Sequence, residues 1–168
     1  EKARHFCQNA PSYECAYGLD AIRGFNQWCF ASSYLWEGRV LPAEKALRAS
    51  LERAEQDIGR RSAVTVSIAA GLALVLLERD EVQEAHSVLA NRLDAIERGA
   101  APEAISLAYL TLSRLAMLQG QTQRAQELLD SLFALGEVRG IPRFTILSLF
   151  EQIRLHSLRE HADTCQSL

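Results

Sequence analysis

The sequence has few of the residues that build disulfide frameworks, metal centres or membrane spans. Its four cysteines stand at positions 7, 15, 29 and 165, and they form no C-x-x-C pair and no zinc-ligand spacing. So sparse a set predicts reduced thiols in a cytoplasmic protein. The longest uninterrupted apolar run, from Ile68 to Leu77, has ten residues, about half of what a bilayer span needs. We therefore expect no metal site and no membrane segment.

Proline and β-branched residues are also scarce. The 168 residues include 4 Pro, 7 Val, 8 Ile and 5 Thr, against 25 Leu and 24 Ala. Leu and Ala are strong helix formers, whereas β-branched residues favour strands. This balance predicts an all-α fold.

Positive charge is not in excess. The chain has 18 basic and 21 acidic residues and a net charge of −3. Phosphate contacts need clustered and unbalanced Lys and Arg. We therefore expect this chain to make no direct contact with nucleic acid.

What the sequence does contain is an internal repeat. Three turn residues recur 42 and then 40 residues apart, and each is followed five residues later by an alanine: Gly38 with Ala43, Asp80 with Ala85, and Gly120 with Ala125. A small residue lies seven positions before each turn residue, at Ala31, Ala73 and Ser113. A fixed period of this length is typical of stacked helical hairpins.

Apolar residues at helical spacing divide each unit into two antiparallel helices. The first helices are predicted over residues 12–37, 62–79, 102–119 and 142–159, and the second over 41–58, 82–98 and 122–138. The repeats accordingly cover 12–59, 62–99, 102–140 and an incomplete 142–168, within one domain. A fourth turn is predicted at Glu160, although Ile153 occupies the position of its small residue. We expect the chain to be a piece of a longer protein.

The repeat resembles the tetratricopeptide repeat (TPR). In both, a large and a small residue precede a Gly or Asp turn and an alanine follows it, but the helices of this chain are longer. The segments 76–85, 108–120 and 124–130 further resemble the central helical domain of MalT-like, LuxR-family transcriptional regulators, over about residues 12 to 162. The resemblance implies an α-α superhelix of TPR-like hairpins that receives an inducer or a regulatory protein and catalyses nothing. In that family an ATPase module precedes this region, a helix-turn-helix module follows it, and the parent protein can self-associate.

The chain itself has no G-x-x-x-x-G-K-[ST] loop and no basic recognition helix. Any ATP and DNA binding would therefore belong to other modules of the parent protein, and we expect no cofactor in this chain. The alternative function is a generic TPR-type adaptor that binds a peptide and has no part in transcription. The flanking sequence would distinguish the two.

The TPR register predicts a ligand-binding concave surface on the first helices. Its candidate residues are Phe25, Trp28 and Ser32 in the first repeat, Leu110 and Arg114 in the third, and Phe150 and Arg154 in the fourth. Two guanidinium groups one repeat apart could bind an anionic ligand or an acidic peptide. Alternatively, each arginine pairs with a nearby carboxylate such as Glu78, Glu127 or Glu151.

The other clusters favour structural roles. Eight of the twelve aromatic residues fall between Phe6 and Trp36, where they form either the wall of a small-molecule pocket or a packed core and interface. The C-terminal His156, His161, Asp163 and Cys165 lack metal-site spacing, so surface positions are expected. The carboxylate pairs Glu52 with Glu55 and Glu81 with Glu84 are predicted to lie on solvated helix faces rather than to act in catalysis.

Overall fold

The computed structural model describes residues 26, 29–35 and 37–166, with side chains up to Leu158. This part of the chain is helical and contains no strand, so the prediction of an all-α fold is confirmed. Residues 29–35 are helical, and seven helices follow: α1 (Val40–Ile58), α2 (Ala63–Glu78), α3 (Val82–Leu89), α4 (Leu93–Gly99), α5 (Pro102–Leu118), α6 (Thr122–Arg139) and α7 (Pro142–Gln166).

The chain divides into two compact units, Glu1–Ala108 and Tyr109–Leu168. In the first unit, α1 packs against α2, and α2 packs against α3 and α4. In the second unit, α6 packs against α7, and Ala116, Ala125, Leu129 and Leu155 form a buried cluster. The clustered residues lie on α5, α6 and α7, so all three helices contribute to the core of this unit.

The three turn residues found in the sequence share one backbone conformation. Gly38, Asp80 and Gly120 have φ angles of 71°, 63° and 73°. In each turn the next residue donates its N–H to a carbonyl five residues earlier: Arg39 to Tyr34 at 2.8 Å, Glu81 to Leu76 at 2.9 Å, and Gln121 to Ala116 at 2.8 Å. This left-handed termination satisfies carbonyl groups that the end of a helix otherwise leaves unpaired. The same local path therefore recurs at the spacing of the sequence repeat.

The small residues of the repeat are fully buried. The set comprises Ala43, Ala85 and Ala125 after the turns, and Ala31, Ala73 and Ser113 before them. Because these side chains have no exposed surface, a larger residue at any of these positions has to displace a neighbouring group. This packing requirement accounts for the recurrence of small residues in the sequence.

The prediction of a single helix over residues 82–98 is wrong, because the helical conformation is interrupted between α3 and α4. Asn91 takes a left-handed conformation with φ 57°, which an α-helix cannot include. Arg61 supports the break by donating to the carbonyl of Asn91 at 2.8 Å and by pairing with Asp94. Arg92 is thereby turned into the core.

The turn predicted at Glu160 is also wrong. Helix α7 continues through this position to Gln166, whereas the sequence period places a reversal there. The other predicted helix boundaries lie within one residue of those of α1, α2, α5 and α6; the helix predicted over 12–37 lies mostly outside the described residues. None of the helices in the described part is long and apolar enough to cross a bilayer.

Candidate functional site

The candidate site is an ion cluster formed by Arg114 of α5 with Glu151 and Arg154 of α7. Arg114 donates from Nε to Oε1 of Glu151 at 2.9 Å and from Nη2 to Oε2 at 3.0 Å. Arg154 donates from Nε to Oε1 at 2.8 Å and from Nη2 to the same oxygen at 2.5 Å. One carboxylate thus binds two guanidinium groups, and the three residues together carry a net charge of +1.

The position of Glu151 follows from the packing of α7 on α6. Phe144, Ser148, Glu151 and Leu155 are buried and lie at helical spacing on one face of α7. The Ser148 hydroxyl donates to the carbonyl of Leu129 at 2.7 Å, which fixes the two helices relative to each other. Glu151 is consequently held inside the packing while its carboxylate reaches both arginines.

The environment of Glu151 keeps it ionised. Burial acts to raise the pKa of the carboxyl group, but the hydrogen bonds and positive charges of Arg114 and Arg154 together outweigh it and hold the pKa below its ordinary value. The arginines remain partly exposed, with side-chain exposures of 32% for Arg114 and 44% for Arg154. The cluster is therefore charged at neutral pH, and its arginines are partly accessible to solvent.

Four of the predicted site residues lie in the second unit, where two of them meet. Leu110 is partly buried and packs against the core of α5, α6 and α7, whereas Phe150 lies on α7 with 75% of its surface exposed. Arg114 and Arg154 meet at Glu151, one of the three carboxylates that the sequence offered as partners. An anionic ligand at this site would have to compete with Glu151 for the two guanidinium groups.

Of the predicted site residues of the first repeat, the structure describes Ser32 alone. Ser32 is buried, and its hydroxyl has no hydrogen-bond partner. Phe25 and Trp28 lie outside the described residues. Of the N-terminal aromatic residues, Phe30 and Tyr34 stack edge to face at 5.1 Å, and Arg39 lies 5.0 Å from the Tyr34 ring. Both are packing contacts between neighbouring side chains, and the pocket and the core each stay a prediction.

A second ion network, which the sequence did not reveal, lies in the first unit. Arg48 of α1 donates to Glu44 at 2.7 Å and to both oxygens of Glu84 at 2.5 and 2.7 Å, and Arg79 also bonds Glu44. Burial acts to raise the pKa of Glu44, but the hydrogen bonds and charges of Arg48 and Arg79 together lower it. Arg48 lowers the pKa of Glu84 as well. This network joins α1, the end of α2 and α3.

A third pair is the most deeply buried. Arg92, at the break before α4, donates from Nη2 to Glu55 of α1, while its Nε and Nη1 atoms are buried without a hydrogen-bond partner. The signal in the sequence was an arginine within the apolar stripe of the second repeat, between Leu89 and Leu93. Its partner, Glu55, is 37 residues away in the sequence. The spacing of apolar residues along one helix cannot identify a partner on another helix.

Two of the carboxylates expected on solvated faces form ion pairs. Glu55 and Glu84 bond Arg92 and Arg48 while 30% and 42% of their side chains stay exposed; Glu52 and Glu81 are exposed. Within the described residues no group of three or more His, Cys, Asp or Glu side chains could hold a metal ion. The side chains of His161, Asp163 and Cys165 lie outside that part.

We found no family model that matches the chain, and no match to it among curated proteins or solved structures.

Proposed function

We propose that the chain is the sensor and protein-interaction segment of a bacterial LuxR-family, MalT-like transcriptional regulator, folded as a TPR-like α-α superhelix. The regulator assignment rests on the sequence resemblance of residues 76–85, 108–120 and 124–130. The observation that supports the repeat is the left-handed turn shared by Gly38, Asp80 and Gly120, each followed by a buried alanine. Such turns connect helices in hairpin repeats without supplying catalytic groups.

In this proposal the inducer or regulatory protein binds at the Glu151 cluster. Its carboxylate or phosphate replaces Glu151 at Arg114 and Arg154, and an apolar part of it contacts Leu110 and Phe150. Because the cluster ties α5 to α7, displacing Glu151 favours a different packing of these helices. That preference then biases the ATPase and DNA-binding modules of the parent protein. The chain itself contributes no catalysis and holds no cofactor.

The first test is to determine the complete reading frame that encodes this chain. A phosphate-binding G-x-x-x-x-G-K-[ST] loop upstream and a basic helix-turn-helix downstream are the expected result. If neither is present, the regulator proposal is wrong and the TPR-type peptide adaptor remains as the function.

The second test removes the cluster as a whole in the complete protein. The triple variant Arg114→Met/Glu151→Leu/Arg154→Met replaces all three charges, because removing one partner alone would leave a buried charge unpaired. We expect the output of a transcription reporter to change about tenfold or more while the melting temperature stays close to that of the parent.

The matched control is Arg124→Met, which removes an exposed arginine paired with the exposed Glu127. It should leave reporter output unchanged. Equal output from the parent, the triple variant and the control would exclude a regulatory role for the Glu151 cluster.

A further inference from the structure

A group of side chains in the first unit carries more positive than negative charge. It lies where the turn between α1 and α2 meets the break between α3 and α4. Its members are four arginines and two carboxylates: Arg60, Arg61, Arg92 and Arg98, with Glu55 and Asp94. We name these six residues the basic cluster. Its net charge is +2, whereas that of the whole chain is −3.

Glu55 of α1 holds two of the arginines together. Its Oε1 atom accepts a hydrogen bond from Nη2 of Arg92 and lies 3.6 Å from Nε of Arg60. One carboxylate oxygen therefore serves two guanidinium groups, and it neutralises only one of their two charges.

Asp94 of α4 holds the other two arginines in the same way. Its Oδ2 atom pairs with Nη2 of Arg61 and lies 3.0 Å from Nη2 of Arg98. Arg61 also donates from Nη1 to the carbonyl of Asn91, the residue before Arg92, at 2.8 Å. This bond connects the two pairs of arginines, so the excess charge of both is concentrated in one place.

Arg92 also has hydrogen-bond donors that no group of the described chain accepts. The residue is buried, and its Nε and Nη1 atoms have no partner. Because a buried donor without an acceptor is costly, native proteins contain few of them. The basic cluster thus lacks acceptors as well as negative charge.

Arg60 and Arg98 form the exposed rim of the basic cluster. Their side chains are 69% and 68% exposed. Within the described residues each of them has one ion pair, which engages Nε of Arg60 and Nη2 of Arg98. Both Nη atoms of Arg60, together with Nε and Nη1 of Arg98, can therefore donate to a ligand that arrives from solvent.

The charge and the donors of the basic cluster select the ligand. A guanidinium group binds phosphate oxygens through paired N–H donors. A phosphate monoester has a charge of about −1.5 to −2 at neutral pH and three strong acceptor oxygens, which matches the excess of +2. A nucleic-acid backbone, in contrast, is bound through many phosphates along an extended surface.

We propose that the basic cluster binds a phosphate group, carried by inorganic phosphate or by a small phosphate monoester. Arg60 and Arg98 donate to its oxygens from the solvent side, and the incompletely neutralised Arg61 and Arg92 add to the positive potential. This inference goes beyond the proposed function, because it concerns the first unit and uses no residue of the Glu151 cluster.

Calorimetric titration of the full chain with inorganic phosphate and with phenyl phosphate tests the site, at an ionic strength kept constant with sodium chloride. We expect saturable binding that the rim variant Arg60→Gln/Arg98→Gln weakens about tenfold or more. The matched control Arg53→Gln/Arg124→Gln removes two exposed arginines outside the basic cluster. It should retain the affinity of the parent chain.

Asp94→Asn supplies a test that a folding defect cannot imitate, because the expected change is a gain. The Asp94 side chain is 53% exposed, and its carboxylate competes with a ligand for Arg61 and Arg98. The neutral amide raises the net charge of the basic cluster by one. The variant should therefore bind phosphate several-fold more tightly than the parent chain does.

The two probes distinguish the sources of the phosphate group. Equal affinities indicate that the phosphate group alone is recognised, whereas tighter binding of phenyl phosphate indicates a phosphate monoester.

Three results would overturn the proposal. The first is the absence of saturable binding of either probe, and the second is equal weakening by the rim variant and the control, which would reflect overall charge. The third is binding of a single-stranded DNA that the rim variant abolishes and that neither probe displaces, because the basic cluster would then bind a nucleic-acid backbone.

Discussion

At the scale of single residues, the effect of a charged side chain on stability depends on a partner that lies far away in the sequence. The three internal clusters centre on Glu44, Glu151 and Arg92, and each joins residues 35 to 37 positions apart. A buried charge is costly to leave unpaired, whereas an exposed pair contributes little to stability. Substitutions at these residues should therefore have effects that depend on which partner remains behind.

Glu151→Gln should destabilise the chain, because it leaves two guanidinium groups without a carboxylate. Both arginines are about a third or more exposed, so solvent reduces the cost, and we expect a loss of about 1–3 kcal/mol in the free energy of unfolding. Chemical denaturation measures it. The control Glu127→Gln affects only an exposed pair with Arg124 and should cost less than about 0.5 kcal/mol. Equal losses would show that the buried cluster is energetically equivalent to a surface pair.

The two members of the Arg92 pair should differ in their importance. Glu55→Ala leaves the buried Arg92 guanidinium without its acceptor, and we expect a loss of about 2–4 kcal/mol. Arg92→Met removes the charge together with two unsatisfied donors, while the partly exposed Glu55 can be hydrated, so the expected loss is below about 1 kcal/mol. Urea denaturation of both variants checks the order; a larger loss for Arg92→Met would contradict it.

The sequence indicated some of these residues but not their partners. It placed Arg114 and Arg154 one repeat apart and offered three carboxylates for them, of which the structure selects Glu151. Arg92 lies as a charge within an apolar stripe, but no prediction was made from it. Helical spacing assigns residues to a face of their own helix, but it does not say which residue of another helix meets that face.

At the scale of helices, local signals defined the elements well. The boundaries of α1, α2, α5 and α6 agree with the apolar spacing and the Gly and Pro punctuation to within one residue. The break at Asn91 was missed, because the residues around it have an uninterrupted helical pattern. The bonds to the Asn91 carbonyl and to Asp94 come from Arg61, in the turn that precedes α2, so tertiary contacts overrode the local preference.

Asp80→Gly should stabilise the second turn. Asp80 has a φ of 63°, while the matching positions Gly38 and Gly120 are glycines at similar angles. A side chain in the left-handed region costs about 1 kcal/mol, and glycine removes this cost. We expect the free energy of unfolding to rise by about 0.5–1 kcal/mol, whereas Gly120→Ala should lower it. Thermal denaturation tests both changes, and a drop in stability with Asp80→Gly would mean that its carboxylate is needed.

Gly136→Ala should loosen the contact of α6 with α7. A Cβ there would lie 2.7 Å from Thr145 Oγ1, 3.0 Å from its backbone nitrogen and 3.1 Å from Phe144 Cβ. Although alanine favours a helix more than glycine does, this crowding should cost about 1–3 kcal/mol. At Gly99 the nearest atom would be 3.4 Å away, so Gly99→Ala should be neutral or slightly stabilising. Melting temperatures compare the two, and similar values would refute the close approach at Gly136.

At the scale of the whole molecule, acid should destabilise both units. The pKa values of Glu44, Glu84, Asp94 and Glu151 are all lowered in the folded chain. The unfolded chain therefore binds protons at a higher pH than the folded chain does. The stability that these groups contribute is present above the ordinary carboxyl pKa and is lost as the pH falls through the lowered values.

The expected result is a fall in the free energy of unfolding between about pH 5 and pH 2. The double variant Glu44→Gln/Glu151→Gln alters one cluster in each unit, so its stability should depend less on pH over this range. Denaturation at a series of pH values measures both curves. Parallel curves for the parent and the double variant would contradict the assignment of the acid sensitivity to these two carboxylates.

The sequence by itself determined the helical class, most helix boundaries and the recurring turns, because propensity, capping and the 3.6-residue period act between residues close in the chain. Only the tertiary structure decided that Arg114 and Arg154 share Glu151, that Arg92 enters the core, and that α7 continues through Glu160 with Ile146, Leu149 and Ile153 exposed. These outcomes depend on which faces meet across distant segments. Packing and desolvation set them, and a local pattern contains neither.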